Sequence, residues 1–137
     1  MTTPIIRRAT RDDIHTIVGF NQAMALETES ISLDASILLQ GVEAIFDTPK
    51  HGFYVVCEIN RSIKACLMIT YEWSDWRNGL FWWIQSVFVK KEYRQTGLYK
   101  LMYEFIKTLI DKDDQIVGLR LYVDDDNIKA QNVYSKL

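Results

Sequence analysis

The first third of the chain contains one short apolar run, followed by apolar residues at helical spacing. The run at residues 5–9 predicts a strand, and Thr10 directly after it is typical of a helix N-cap. Apolar residues then recur three and four positions apart, which predicts a first amphipathic helix. The same spacing predicts a second helix over residues 34–46, which Pro49 and Gly52 would end.

The middle of the chain changes to the pattern of strands. Residues 53–59 and 63–73 predict two strands joined by a tight Asn-Arg turn at residues 60–61. The Asn-Gly pair at residues 78–79 predicts a second hairpin turn, because both residue types tolerate a positive φ. Residues 80–89 are apolar almost throughout, which predicts a central strand covered on both faces.

The last third returns to alternating helices and strands. Residues 97–110 predict a strongly amphipathic helix, residues 116–123 a strand and residues 126–136 a last helix. The predicted order is therefore β-α-α-β-β-β-α-β-α. This order is typical of a layered α/β domain.

The composition is that of an ordinary globular domain, with 48% hydrophobic and 25% charged residues. A net charge of −2 gives no support for nucleic-acid binding. No stretch approaches the ~20 apolar residues of a membrane-spanning helix, and the N-terminus lacks the pattern of a secretory signal. We therefore expect a cytoplasmic protein without a membrane or nucleic-acid partner.

The cysteines and histidines do not predict a metal site. Cys57 and Cys66 lie in apolar runs without Cys-x-x-Cys spacing, which is typical of buried, reduced thiols. His15 and His51 fall in different predicted elements, so a zinc site is not expected.

The junction between the strand at residues 80–89 and the next helix has unusual chemistry. It reads RQTGLY from Arg94 and continues into Lys100. A helix N-terminus offers unpaired N–H groups and a partial positive charge, so it binds phosphate readily. Gly97 would allow a close approach of the backbone to a ligand, while Thr96 adds a hydroxyl. A phosphate cradle and a plain connection are both compatible with these residues.

Two phosphate-binding motifs are excluded by the spacing of the glycines. A nucleotide P-loop needs two glycines and a Lys-Ser/Thr pair, and that string is absent. A dinucleotide fingerprint needs three spaced glycines, whereas this junction has Gly97 alone.

The element order and two motifs resemble the GNAT superfamily of acyl-CoA-dependent N-acyltransferases. The motifs are Arg94-x-x-Gly97 after the strand end Val87-Phe88-Val89, and Asn127-x-x-Ala130-x-x-x-Tyr134. The resemblance spans essentially the whole chain. It implies one domain over residues 1–137, with a central, mostly antiparallel sheet and helices on both faces.

The resemblance implies acetyl-CoA as co-substrate. The strand before the loop would carry a bulge and splay from its neighbour, so that the pantetheine pairs with the strand backbone and the pyrophosphate with loop N–H groups. Asn127 is also typical of a helix N-cap. The residues that the resemblance assigns to the cofactor are Val87, Phe88, Val89, Arg94, Gln95, Thr96, Gly97, Leu98, Tyr99, Lys100 and Asn127.

The resemblance also implies a general acid. Tyr134 matches the family position that protonates the CoA thiolate, and a phenol with a pKa of ~10 suits that role. Tyr134 could equally be an aromatic residue that packs on the core.

A general base is suggested by the predicted hairpin. If residues 78–79 form a two-residue turn, Glu72 faces Gln85 on one side of the sheet. Many family members place an acid near Gln85, but a glutamine cannot take a proton, so Glu72 or a water chain would have to serve. Trp83 and Gln85 would then contact the acceptor. The tryptophans of this hairpin could equally be core and hairpin packing, and Trp73 and Trp76 point to opposite faces of a regular strand, so they cannot all line one pocket.

Two features depart from the family pattern. Tyr99 occupies a position where the loop motif has a small residue, which raises the question of how closely phosphates approach there. Family members usually continue into two more strands after the last helix, and we expect this domain to lack them.

Three functions follow from these alternatives. We expect an N-acetyltransferase that transfers an acetyl group from acetyl-CoA to an amine of a small molecule or peptide, by direct attack in a ternary complex. A non-catalytic acyl-CoA-binding module of the same fold is the alternative, and a domain without cofactor is the third. The sequence leaves the oligomeric state open, with a homodimer as one alternative.

Overall fold

The computed structural model describes residues 3–123 and 129–135, with side chains described as far as Leu121. Short 3-10 turns precede α1, β2 and α3. The helices and strands are β1 (Ile5–Arg8), α1 (Ile14–Glu29), α2 (Ala35–Asp47), β2 (Phe53–Ile59), β3 (Ser62–Ser74), β4 (Gly79–Val89), α3 (Leu98–Asp111), β5 (Ile116–Val123) and β6 (Lys129–Ser135).

The six strands form one sheet in the order β1-β2-β3-β4-β5-β6. Neighbouring strands are antiparallel except for β4 and β5, which are parallel. A parallel pair needs a crossover connection, and α3 supplies it between these two strands. The predicted mostly antiparallel sheet is confirmed.

Helices cover both faces of the sheet, as expected. The apolar side of α3 packs on one face against side chains of β2 to β5, while α1 and α2 pack on the other. The α3 face is centred on fully buried residues, namely Val55, Leu67, Ile69, Ile84, Met102, Ile106, Ile110, Ile116 and Leu119. The α1/α2 face is centred on Ile17, Val42, Val56 and Cys66.

Eight of the nine predicted elements are confirmed, most to within a residue or two at each end. The predicted last helix is wrong, because Lys129–Ser135 forms β6, antiparallel to β5. The open edge of β5 would otherwise present unpaired N–H and C=O groups, and β6 pairs with them. Asn127 lies outside the described residues.

Both hairpin turns are present, but only the first has the predicted two residues. Asn60 and Arg61 have φ angles of 54° and 63°, as a two-residue turn requires. In the second hairpin residues 75–78 form the turn, and Gly79 begins β4 opposite Ser74. Gly79 is needed there for packing, since an added Cβ would lie 2.9 Å from the carbonyl oxygen of Gln115.

The correction shifts the β3–β4 register by four residues. Glu72 pairs with Phe81, and Gln85 pairs with Met68. The predicted pairing of Glu72 with Gln85 is therefore wrong. A shift by an even number keeps side chains on the same face, so Glu72 and Gln85 still share one side of the sheet.

Both cysteines are buried and free, as predicted. Burial raises the pKa of the Cys66 thiol to about 12, which removes it as a nucleophile at neutral pH. Within the described ranges, no group of His, Cys, Asp and Glu side chains could hold a metal ion. Over the same residues, no helix combines the length and apolar character needed to cross a membrane.

Candidate functional site

A β-bulge interrupts β4 near its end. Met68 pairs with Gln85 but Cys66 pairs with Phe88, so Ser86 and Val87 together oppose one residue of β3. Ser86 has a φ of 52°, in the left-handed region that non-glycine residues rarely adopt. A bulge leaves backbone groups unpaired and kinks the strand, and such features are common beside functional sites.

The parallel strands separate just before this bulge. Pairing of β4 with β5 runs from Leu80 to Ile84, which pairs with Leu121, and then ends. The last five residues of β4 thus lack a β5 partner and expose their backbone on that side. This is the separation of the two strands that the sequence resemblance implied.

Two residues of the loop after β4 have a left-handed backbone conformation. Gln95 has a φ of 64° and Gly97 a φ of 90°. The Thr96 hydroxyl donates to the carbonyl oxygen of Tyr93, which closes the turn. Nothing lies within 4 Å of a Cβ added to Gly97, so its glycine serves the backbone conformation and leaves open space beside the loop.

The loop ends at an uncapped helix N-terminus. Gly97 is the N-cap of α3 and offers no side-chain hydrogen bond. The first N–H groups of the helix, on Leu98, Tyr99 and Lys100, point out of its end without an intrahelical partner. Together with the helix dipole, these donors suit a phosphate group.

The Arg94 guanidinium is engaged by protein groups. Its Nε donates to the carbonyl oxygen of Val89 at 2.9 Å, and its Nη2 lies 3.0 Å from Oε1 of Glu27 at the end of α1. Arg94 and Glu27 are both half-exposed, so this ion pair can open at low cost. Arg94 therefore ties the loop to α1, and Lys100 is the exposed cation next to the helix N-terminus.

Two cavities flank the end of β4, and both are lined by Val87. A cavity of about 550 Å³ lies on the α1 side, between Met24, Glu27, Thr28, residues 87–89 and Arg94. A cavity of about 440 Å³ lies at the splay, between residues 84–87, Tyr99 and Leu121. Both volumes fall within the roughly 300–1,000 Å³ typical of small-molecule sites.

Polar side chains continue from the bulge along strands β3, β4 and β5. Gln85 Nε2 donates to Thr70 Oγ1, its diagonal neighbour across the hairpin. Trp83 Nε1 donates to Glu72 Oε1 at 2.7 Å, and Arg120 Nη1 lies 3.4 Å from the same oxygen. The Arg120 guanidinium stacks 3.9 Å from the Phe81 ring centroid.

Most of the predicted site residues lie near the bulge and the loop, whereas Glu72 lies elsewhere than predicted. Residues 87–89 and 94–100, Trp83 and Gln85 surround the bulge and loop. Glu72 lies about 13 Å further along the sheet than predicted, since four residues of strand separate Phe81 from Gln85. The backbone of Tyr134 lies in β6 opposite Leu119.

Sequence reasoning missed four contributors: Glu27, Thr70, Arg120 and Leu121. Glu27 and Arg94 are 67 residues apart, and Arg120 and Glu72 are 48 residues apart. Nothing in the sequence around Glu27 indicates that it forms an ion pair with a residue so distant in the chain. Arg120, a single charge within the apolar strand β5, was the one available clue.

The strained backbone of Ser86 gives a direct test of the bulge. We expect Ser86→Val to lower the free energy of unfolding by about 1 kcal/mol, because the β-branched side chain resists a left-handed φ more than serine does. Urea denaturation measures this change. Ser86→Gly should be neutral or stabilising, and Ser62→Val, at an exposed strand position, is the matched control. Equal stability of both valine variants would contradict a strained bulge.

The fold and this site together define a mixed α/β domain of the acyltransferase type. The chain belongs to the acetyltransferase (GNAT) family, whose sequence profile matches residues 19–137. No curated protein matches the chain significantly.

Solved structures agree with the family. A possible acetyltransferase from Clostridium difficile 630 is 48% identical, with a TM-score of 0.84 over 90% of this chain and 82% of that one. A predicted acetyltransferase from Clostridium acetobutylicum, solved with acetyl-CoA, is 16% identical with a TM-score of 0.73 over 90% and 82% of the two chains. Glucosamine-6-phosphate N-acetyltransferase from Arabidopsis thaliana is 22% identical with a TM-score of 0.69 over 91% and 85%. The latter two share the fold.

Proposed function

We propose that the protein transfers an acetyl group from acetyl-CoA to a primary amine of a small molecule or peptide. The observation that supports this most is the splay of β4 from β5 at a bulge that leads directly into an uncapped helix N-terminus. Acetyl-CoA has a thioester at one end and a pyrophosphate further along, which would suit the bulge and the helix N-terminus respectively. Two structural neighbours, glucosamine-6-phosphate N-acetyltransferase and an aminoglycoside N-acetyltransferase solved with CoA, are N-acetyltransferases by name, which supports an amine as the acceptor.

The cofactor's phosphates would bind at residues 95–100, where backbone N–H groups and Lys100 provide positive potential. Its pantetheine would pair with the backbone of Val87 and Val89, which have no β5 partner. The fit requires an open approach to the loop, and the empty space around Gly97 provides it.

The chemistry requires one bond to form and one to break. The neutral amine nitrogen attacks the thioester carbonyl carbon, the carbon–sulfur bond breaks, and the thiolate takes a proton. Developing charge on the carbonyl oxygen would be stabilised by a backbone N–H at the bulge, near Val87. We assign the proton donor to Tyr134 on the basis of its position in the sequence motif alone, since the segment that carries it forms β6 and not the predicted helix.

The amine proton would leave towards Glu72. Its carboxylate is too far along the sheet for direct contact with an amine at the bulge, so the transfer needs intervening water. One oxygen of Glu72 is held by Trp83 and Arg120, which orients the group. Gln85, fixed by Thr70, and Trp83 would line the acceptor's position.

A non-catalytic acyl-CoA-binding module is the second candidate. The observation that favours it is that Glu27, the carboxylate that lines the α1-side cavity together with Val87, is ion-paired with Arg94. Gln85, next to the bulge, cannot accept a proton, and Glu72 is ion-paired with Arg120.

A turnover assay separates the two candidates. The purified chain is incubated with acetyl-CoA and a panel of amines: aminoglycosides, amino sugars, polyamines and peptides with free amino groups. Release of free thiol and a product heavier by one acetyl group are expected with at least one class. Binding of acetyl-CoA without thiol release from any class would favour the binding module.

A further inference from the structure

The Val89 carbonyl group faces the gap between β4 and β5. The N–H of Lys90 donates to the carbonyl oxygen of Lys64 at 2.9 Å, so these residues form a hydrogen-bonded pair at the end of the β3–β4 ladder. In an antiparallel ladder the next pair, Ala65 and Val89, then directs its main-chain groups away from the partner strand. The Val89 carbonyl therefore points to the side on which the pantetheine would bind.

The Arg94 guanidinium covers this carbonyl. Its Nε donates to the Val89 oxygen at 2.9 Å. Its Nη2 contacts both carboxylate oxygens of Glu27, at 3.0 and 3.1 Å, and its Cζ lies 5.6 Å from the Phe88 ring centroid. A charge-assisted hydrogen bond, an ion pair and a cation–π contact thus hold the guanidinium at the edge of β4. We call this arrangement the closed position of Arg94.

The closed position and a bound pantetheine exclude each other. A pantetheine amide that pairs with this edge takes the place of a neighbouring strand, about 4.8 Å from β4. The Nε of Arg94, 2.9 Å from the Val89 oxygen, lies within that space. The guanidinium must therefore leave the carbonyl before the amide N–H can donate to it.

We propose that Glu27 is a positioning residue that holds Arg94 in the closed position and so lowers the affinity of the free protein for CoA. This inference rests on the proposed binding of the pantetheine along β4. The Glu27 and Arg94 side chains are each 42% exposed, so the ion pair between them is weak and opens at low cost. The contact therefore adjusts the affinity for CoA and does not block its binding.

The test is a titration of CoA into the wild type, Glu27→Gln, Arg94→Met and the double variant. Glu27→Gln keeps the size of the side chain but removes its charge, so Arg94 leaves the Val89 carbonyl more readily. We expect the Kd for CoA to fall by about 2- to 5-fold, the range for a half-exposed ion pair. In the Arg94→Met background the same substitution should leave the Kd unchanged, because no guanidinium remains to be held.

This design separates the closed position from general electrostatics. Loss of a negative charge near the loop also favours any anionic ligand, and that gain would persist in the Arg94→Met background. It would also appear with ADP, which has a pyrophosphate but no pantetheine and so does not need the Val89 carbonyl. We expect Glu27→Gln to leave the binding of ADP unchanged.

Asp47→Asn is the matched control. It removes a carboxylate from the exposed Arg11–Asp47 ion pair, and neither of these residues lines the two cavities beside β4. The Kd for CoA should stay at the wild-type value, and thermal melts verify that all variants are folded.

Two results would overturn this inference alone, with CoA still bound by the wild type. One is an unchanged Kd for CoA in Glu27→Gln. The other is a gain in affinity that is equally large for ADP or in the Arg94→Met background. Failure of both the folded wild type and Glu27→Gln to bind CoA would overturn the proposed function and this inference with it.

Discussion

Tyr134→Phe is expected to lower kcat by about 10²-fold or more and to leave the Kd for acetyl-CoA unchanged. General acid catalysis contributes typically 10²- to 10⁴-fold, and phenylalanine removes the proton while it keeps the ring. The thiolate would then leave without protonation. Steady-state kinetics with the best acceptor amine, together with titration of acetyl-CoA, measures both quantities.

Tyr71→Phe is the control for this change. Tyr71 lies on β3, and its ring packs near Phe53 and Trp82 on the α3 face. The same loss of a hydroxyl there should leave kcat within a factor of a few. Normal turnover by Tyr134→Phe would show that Tyr134 is not the general acid. The thiolate would then receive its proton from solvent or from another group.

Gly97→Ala is expected to weaken the binding of acetyl-CoA by roughly 5- to 30-fold with little change in thermal stability. An alanine at a φ of 90° costs about 1–2 kcal/mol, which is a factor of this size in an equilibrium. Because Gly97 is exposed with open space around it, the loop of the free protein can relax to another conformation. Binding must then restore the strained one.

Gly41→Ala provides a matched comparison for Gly97→Ala. Gly41 lies inside α2, and an added Cβ has nothing within 4 Å. The substitution should leave cofactor binding unchanged and raise stability slightly, because alanine is favoured in helices. Equal cofactor affinity of both alanine variants would show that the conformation at Gly97 does not serve binding.

Most of the fold could be predicted because local patterns determine it. The strand β2 (Phe53–Ile59) coincides with its apolar run, and the left-handed pair Asn60 and Arg61 marks the turn after it. The apolar stripe of α3 gives both its length and its buried side. In each case the period of the apolar residues and the turn chemistry agree, and no distant contact has to be known.

The errors came from elements that depend on distant partners. The segment Lys129–Ser135 has a mixed pattern, and its strand conformation depends on the open edge of β5. The second hairpin was assigned from Asn78-Gly79, but the position of Gly79 is determined by close packing against β5. Neither constraint is visible in a window of neighbouring residues.

The candidate site also has a part that local sequence predicts and a part that depends on distant contacts. The loop from Arg94 to Lys100 could be located because a strand, a glycine and a helix follow one another in sequence. The bulge at Ser86 and the ion pairs of Glu27 and Arg120 could not, since they depend on register and on contacts across the sheet.

The most direct test of the account is isothermal titration of the purified chain with acetyl-CoA, CoA lacking the 3′-phosphate, and ATP. In the proposed function, the loop backbone and the splay of β4 from β5 together would recognise a pyrophosphate joined to pantetheine. We therefore predict micromolar binding of both CoA forms and far weaker binding of ATP. Equal binding of ATP, or no binding of either CoA form by the folded chain, would contradict a cofactor cradle at the Arg94–Lys100 junction.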